Sequence, residues 1–163
     1  MIRIRTTMTA GAAFVGALAI ALSGASPAAA ADSFQLGTRT SGPSSAASCV
    51  GDIDKARVCF DPNGDKIYVY DGDADSASAV ADWQNWKHWN DNSVYRSGQC
   101  VNSEGAGTWV VCNKDFYEEG LILLTARTYD RSAGKWTGSY GYESFTRSTR
   151  LPGARWRVPS WWR

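Results

Sequence analysis

The first candidate for chemistry in this chain is an acidic run at residues 71–75, in which aspartate occupies every second position. Hard oxygen ligands at this spacing are typical of loops that bind Ca²⁺, and Asp82 stands at the twelfth position of such a loop. However, Ser76 replaces the glycine of an EF-hand loop, and Asp82 replaces its glutamate. Two interpretations stay open, a weak calcium site and a solvated acidic turn, and the departures favour the turn. The metal ligands would be Asp71, Asp73 and Asp75.

Aromatic residues are the second candidate, because the chain holds eight tryptophans. Exposed rings arranged in a row can stack on sugar rings or on a flat aromatic ligand. The alternative is burial, since a small β-sheet protein needs large apolar side chains in its core. We expect four residues to contact a ligand: Trp86, Trp89, Trp136 and Tyr140.

The third candidate is a basic tail at residues 147–163, which holds five arginines and no acidic residue. Residues 32–146 are acidic by comparison, with ten Lys or Arg against 16 Asp or Glu. Guanidinium groups pair with phosphate and indoles prefer the membrane interface, so the tail is typical of a contact with an anionic membrane or a cell-wall polymer. A tail without any binding role is the alternative. The contact residues would be Arg155, Trp156, Arg157, Trp161, Trp162 and Arg163.

Catalytic motifs are scarce in this sequence. His88 is the single histidine and has no nucleophile motif beside it, and the sequence contains no GxSxG, HExxH or phosphate-binding loop. We therefore expect a non-catalytic binding protein without a cofactor, whose partner is a cell-wall or other polysaccharide or a flat aromatic molecule. We expect no nucleic-acid partner. Two alternatives stay open: an effector that acts on a cell surface through its cationic tail, and a hydrolase that uses a carboxylate pair.

Residues 1–31 predict export. Arg3 and Arg5 precede an apolar stretch at 10–22, and small residues follow around position 29. This order is that of a secretory signal peptide, and the apolar stretch is too short to span a membrane. We expect a secreted, extracellular monomer without a transmembrane span. Its mature chain would consist of a mobile lead-in at 32–48, a folded domain at 49–146 and the basic tail.

Four cysteines lie in the mature chain, and an exported protein is expected to oxidise them. Four cysteines allow three pairings, of which we favour the two local ones, Cys49 with Cys59 and Cys100 with Cys112. Glycines at 105 and 107 lie between the last two cysteines and favour a tight reversal. We therefore predict a β-hairpin at 96–113, with Cys100 and Cys112 as cross-strand neighbours.

The folded domain is predicted to be all-β. Runs of β-branched and aromatic residues recur along it, and turn signals such as Asn63-Gly64 separate them. About seven short strands of this kind are typical of a sandwich or barrel. We expect a single-domain antiparallel β-sandwich, or a partly open barrel, with two local disulfides. On the last strand, simple alternation would place Trp136, Tyr140 and Tyr142 on one aromatic face.

Two resemblances extend this interpretation. Between residues 49 and 124 the chain carries Val58-Cys59-Phe60, and then Cys100-Val101-Asn102 followed by Gly105-Ala106-Gly107-Thr108 and Cys112-Asn113. In this layout it resembles a group of small secreted bacterial β-proteins, which implies the fold but no activity. The segments 98–100 and 112–116 are similar to those around one disulfide of the neocarzinostatin-type chromoprotein apoproteins. That resemblance implies a secreted β-sandwich that holds a reactive aromatic ligand.

Overall fold

The computed structural model describes residues 33–88 and 90–146, which form ten β-strands and no helix. The strands are β1 (Ser33–Leu36), β2 (Thr38–Thr40), β3 (Ser48–Gly51), β4 (Ala56–Asp61), β5 (Lys66–Asp71), β6 (Ser78–Trp86), β7 (Arg96–Asn102), β8 (Thr108–Asn113), β9 (Leu121–Asp130) and β10 (Lys135–Thr146). These two ranges contain no helix that is long and apolar enough to cross a membrane.

The ten strands form two five-stranded sheets. Sheet A has the order β1-β7-β6-β9-β10, and sheet B has the order β2-β8-β5-β4-β3. Neighbouring strands are antiparallel except β1, which runs parallel to β7. Neither sheet closes into a barrel. The predicted fold class, an all-β sandwich with two local disulfides, is therefore confirmed.

Side chains alternate between core and surface along the strands, because successive Cβ atoms point to opposite faces of a sheet. On β9, Ile122, Leu124 and Ala126 are fully buried, and the odd-numbered residues between them are half-buried. On β6 the indole of Trp83 enters the core, while its even-numbered neighbours Asp82 and Gln84 face outward. Sheet B contributes Val58, Phe60, Ile67, Val69 and Val110 to the same core.

The sequence predicts a mobile lead-in at 32–48, but the structure shows strands in this segment. From Ser33 onward it forms β1 on the edge of sheet A and β2 on the edge of sheet B. The chain changes sheet at Gly37, where an added Cβ would lie 2.4 Å from a methyl carbon of Val110. A glycine is needed at this close approach, and pairing with β7 and β8 orders a segment whose small polar composition indicates mobility.

The connection at 41–47 links the two edge strands of sheet B, so it crosses the outer face of that sheet. An added Cβ on Gly42 would lie 3.5 Å from the indole of Trp109 on β8. The Ser44 hydroxyl donates a 2.6 Å hydrogen bond to Oδ2 of Asp61, on β4. The connection therefore covers part of a surface that would otherwise be open to solvent.

Both predicted disulfide pairings are confirmed, and the first bond lies within one sheet. Cys49 on β3 and Cys59 on β4 are direct partners in the antiparallel register, with their Cα atoms 4.0 Å apart. The bond ties the edge strand β3 to its neighbour. Among the described residues no cysteine is free.

The second disulfide differs from the prediction in what it joins. Cys100 lies on β7 in sheet A and Cys112 lies on β8 in sheet B, so the bond crosses the core between the sheets. The predicted hairpin at 96–113 is therefore wrong, because β7 pairs with β6 and β1 while β8 pairs with β5 and β2. The glycine-containing turn at 103–107 carries the chain from one sheet to the other.

The buried side chain of Asn102 holds this turn. Its Nδ2 donates to the carbonyl oxygens of Val69, at 3.2 Å, and of Thr108, at 2.8 Å. Its Oδ1 accepts from the backbone N–H of Glu104 and from the Thr108 hydroxyl. Because all these bonds are made inside the protein, the asparagine fixes the crossing between sheets without an unsatisfied polar group.

Candidate functional site: the outer face of sheet A

Strands β6, β9 and β10 present an outward row of aromatic and polar side chains that we call the platform. Its members occupy the outward-facing positions of these strands, which alternate with the positions of the core residues. They are Asp82, Gln84, Trp86, Thr125, Arg127, Tyr129, Trp136 and Tyr142. The register brings them together, since Asp82 lies opposite Thr125, and Thr125 lies opposite Tyr142.

Three aromatic side chains are spaced along the platform. Trp136 is the register partner of Tyr129, Tyr142 is the partner of Thr125, and Trp86 is the partner of Leu121. These partners on β9 are four residues apart, which corresponds to about 13 Å at the usual rise of a strand. The row is therefore long enough for an extended ligand to contact more than one aromatic ring.

Trp136 is the centre of a small cluster at one end of the row. Its ring lies 5.0 Å from that of Tyr129 in an edge-on arrangement, and the Arg127 guanidinium carbon lies 3.7 Å from the indole centroid. Trp136 nevertheless keeps 36% of its surface exposed, and Tyr142 keeps 44%. Arg127 and Tyr129 therefore orient the indole without covering it.

A shallow polar groove runs beside these rings. Its lining consists of Asp82, Gln84, Leu123, Thr125, Arg127 and Ser139. Oδ2 of Asp82 accepts a 3.0 Å hydrogen bond from Nη1 of Arg127, and about a third of each side chain remains exposed. Paired in this way, the two side chains have fixed positions and still present donor and acceptor atoms to a ligand.

The four predicted ligand contacts divide between the two faces of the sheet. Trp86 and Trp136 belong to the platform, whereas Trp89 lies outside the described residues. Tyr140 packs against the core, and its hydroxyl is 3.3 Å from that of Thr128. Two irregularities of register in β10, at 136–138 and 139–142, turn Tyr140 inward and return Tyr142 to the outer face. The single aromatic face predicted for this strand is therefore wrong.

Sequence reasoning missed Asp82, Arg127 and Tyr142 as site residues. The signal was present, because period-two alternation places Thr125, Arg127 and Tyr129 on one face of a strand. What the sequence did not indicate is that β6 and β10 flank β9. Only that pairing places an acid from residue 82 beside an arginine from residue 127.

The acidic run at 71–75 uses its carboxylates locally. Asp73 forms an ion pair with Lys55, and Oδ1 of Asp75 accepts a 2.9 Å hydrogen bond from the backbone N–H of Ala77. Asp71 is buried, and burial raises the pKa of its carboxyl group. In the described part of the chain no three acidic, histidine or cysteine side chains come together as a metal site. Asp71, Asp73 and Asp75 thus make local contacts, and a calcium-binding role for them stays a prediction.

The tail residues Arg155, Trp156, Arg157, Trp161, Trp162 and Arg163 lie outside the described residues, as does the predicted signal peptide. Their proposed roles remain predictions. Comparison of the chain with protein-family models, with curated proteins and with solved structures finds no significant match.

Proposed function

We propose that this is a secreted, non-catalytic binding protein that holds a polysaccharide chain along the platform. The observation that carries this proposal is the row formed by the exposed rings of Trp136 and Tyr142 and the half-buried ring of Trp86, beside the Asp82–Arg127 pair. Aromatic rings stack on the apolar faces of sugars, and an ordered ion pair can exchange hydrogen bonds with their hydroxyl groups. An extended polymer matches such a row better than a compact ligand does.

The open shape of the site favours a polysaccharide over a flat aromatic molecule. Small-molecule sites are usually enclosed and lined by apolar and aromatic side chains. A second groove, at the 71–78 and 102–106 turns, is lined mainly by Asp71, Asp73, Ser76 and Asn102, and neither groove has an aromatic ring in its lining. The aromatic ligand implied by the resemblance to the chromoprotein apoproteins is therefore the second choice.

The proposal also includes export of the protein from the cell. Two disulfides in a small β-sandwich are typical of proteins that work in an oxidising space, where such bonds persist. The predicted signal peptide at 1–31 would deliver the chain to that space. A polysaccharide of a cell wall or an extracellular matrix is a partner that would be met there.

The test is a sedimentation assay with a panel of insoluble polysaccharides, followed by tryptophan fluorescence with soluble fragments of any polymer that binds. We expect Trp136→Ala and Tyr142→Ala each to weaken binding by about tenfold, because each removes one stacked ring. Tyr117→Ala is the matched control, since Tyr117 is 42% exposed but lies in the loop between β8 and β9.

Two results would overturn the proposal. One is the absence of binding to every polysaccharide in the panel. The other is binding that Tyr117→Ala weakens as much as Tyr142→Ala does, which would show that the ligand does not bind specifically at the platform. Fluorescence titration with planar aromatic compounds tests the second choice, and a saturable quench that Trp136→Ala abolishes would favour that ligand class.

A further inference from the structure

The outer face of sheet A continues beyond the platform to the opposite edge of the sheet. Phe34 and Leu36 on β1 are the register partners of Gln99 and Val101 on β7. These two β7 residues alternate with Cys100, which enters the core, so their side chains and those of their partners face outward with the platform. Phe34 is 63% exposed and Leu36 is 51% exposed, the two largest exposed fractions among the large hydrophobic side chains that the structure describes.

One cross-strand row connects the two edges of the sheet. In the order of the strands it consists of Phe34 on β1, Gln99 on β7, Asp82 on β6, Thr125 on β9 and Tyr142 on β10. Four strand spacings separate the ends of this row, which corresponds to about 19 Å at the usual distance between strands. An aromatic ring thus stands at each end of the row, and three hydrogen-bonding side chains lie between the two rings.

A single extended chain on the platform does not reach β1. A ligand that contacts Trp136, Tyr142 and Trp86 lies over β10, β9 and β6, which carry these residues and their register partners. The β1 strand lies two strand spacings beyond β6, about 10 Å further across the sheet. The exposed apolar side chains of sheet A therefore cover an area of the face and not a single line.

The charges on this face balance in the described part of the chain. Its outward strand positions carry one acid, Asp82, and one base, Arg127, and the two form an ion pair with a 3.0 Å distance between Oδ2 and Nη1. The remaining polar side chains at these positions are amides and hydroxyls, among them Gln84, Gln99 and Thr125. A polymer with a charge on every repeat requires complementary charges on its partner, so this face favours an uncharged ligand.

We propose that the ligand is an uncharged polysaccharide in an ordered, insoluble form, whose neighbouring chains lie side by side on the outer face of sheet A. This inference rests on the proposed function and adds Phe34 and Leu36 to the binding surface. One chain stacks on the platform, and a neighbouring chain contacts the two β1 side chains. The apolar side chains contact the apolar faces of sugar rings, and the polar side chains between them exchange hydrogen bonds with hydroxyl groups.

The test compares binding to microcrystalline cellulose and to chitin with binding to their soluble fragments, cellohexaose and chitohexaose. It uses the full exported chain with both disulfides formed. The double variant Phe34→Ala with Leu36→Ala should weaken sedimentation with the insoluble polymer by about tenfold, and it should change the affinity for the fragment by less than about twofold, because one fragment occupies the platform alone. Trp136→Ala should weaken both kinds of binding by about tenfold.

Three controls accompany the double variant. Phe34→Tyr keeps a ring at the edge of the sheet and should bind the insoluble polymer as the parent chain does. Ile53→Ala is the matched control for lost apolar surface, since Ile53 is 46% exposed but lies in the turn between β3 and β4. Thermal unfolding checks that the double variant is folded, and Phe34→Gln alone, which keeps a long side chain on β1, replaces it where it is not.

The salt dependence tests the charge of the ligand. Raising sodium chloride from about 0.05 M to about 0.5 M screens interactions between exposed charges. We expect sedimentation with the insoluble polymer to stay unchanged over this range. Binding to acidic polymers alone, weakened by salt, would overturn the uncharged ligand and leave the platform as a polysaccharide site.

The other outcomes also distinguish this inference from the proposed function. Absence of binding to every polysaccharide would remove both. Binding to the insoluble polymer that the double variant leaves unchanged, or a loss that is equal for polymer and fragment, would overturn the second chain only. Binding to the insoluble polymer alone, weakened by the double variant and by Trp136→Ala, would support it. A dimer in light scattering that the double variant dissociates would assign the β1 side chains to a second copy of this protein.

Discussion

The two outer faces of the sandwich carry the same aromatic pair in different surroundings. On sheet B the rings of Tyr70 and Trp109 lie 4.9 Å apart, and on sheet A the rings of Tyr129 and Trp136 lie 5.0 Å apart. The connection at 41–47 crosses sheet B and packs its Gly42 backbone against Trp109. Nothing in the described part of the chain crosses sheet A in that way, and Trp136 remains 36% exposed.

The difference follows from the order of the strands. The two edges of sheet B are β2 and β3, which are consecutive in the chain, so the loop between them has to cross the sheet. The edges of sheet A are β1 and β10, the first and last described strands, so no described loop joins them. The same residue types therefore lie under a connection on one face, and on the other no described connection passes over them.

Removing the bond between the sheets should have the largest effect, because both faces depend on it. Replacing Cys100 and Cys112 by alanine should lower the free energy of unfolding by about 3–5 kcal/mol, since loop closure and core packing are lost together. The pair Cys49→Ala with Cys59→Ala encloses a similar length of chain within one sheet, and we expect about 2–3 kcal/mol. Urea unfolding of both double variants measures the difference, and equal losses would contradict the special role of the inter-sheet bond.

Truncating the two tryptophans should separate stability from binding. We expect Trp109→Ala to cost about 2 kcal/mol of unfolding free energy, because its ring packs against Tyr70 and beneath residues 41–47. Trp136→Ala should cost less than about 1 kcal/mol, because more of its surface is exposed. Thermal unfolding of both variants checks this, with polysaccharide sedimentation as the second measurement. A Trp136→Ala variant as unstable as Trp109→Ala would remove the distinction between the faces.

Loosening the cover of sheet B should have the smallest effect. Ser44→Ala removes the 2.6 Å bond to Asp61, and we expect a loss of about 1 kcal/mol. Hydrogen exchange at residues 41–47 should increase, and the fluorescence of Trp109 should shift towards that of an exposed indole. Ser45→Ala, one position further along the same connection, is the control. An unchanged exchange pattern in Ser44→Ala would show that the cover does not depend on this bond.

Local features of the sequence predicted several elements correctly. The Asn63-Gly64 signal correctly predicts the turn between β4 and β5. Both disulfide pairings follow from short separations in sequence. These inferences succeed because turn conformation and strand alternation depend on neighbouring residues alone.

Three other features could not be predicted from neighbouring residues. A glycine-rich turn between Cys100 and Cys112 could either close a hairpin or carry the chain from one sheet to the other. The spacing of the two cysteines is the same in both cases, so it does not distinguish them. The irregularities in β10 depend on its pairing with β9, and they turn Tyr140 inward while Tyr142 stays on the outer face with Trp136. The order of residues 33–48 depends on β7 and β8, which lie far away in the chain.

From its sequence alone, this protein is an all-β chain with two local disulfides, because residue types, alternation and turn chemistry act over a few positions. Which aromatic residues are open to a ligand is set by tertiary structure. Exposure depends on which strands form the edges of each sheet and on which connection passes over a face, and both are long-range properties. Tyr70 with Trp109 and Tyr129 with Trp136 are alike in composition and in the distance between their rings, and the course of residues 41–47 covers the first pair but not the second.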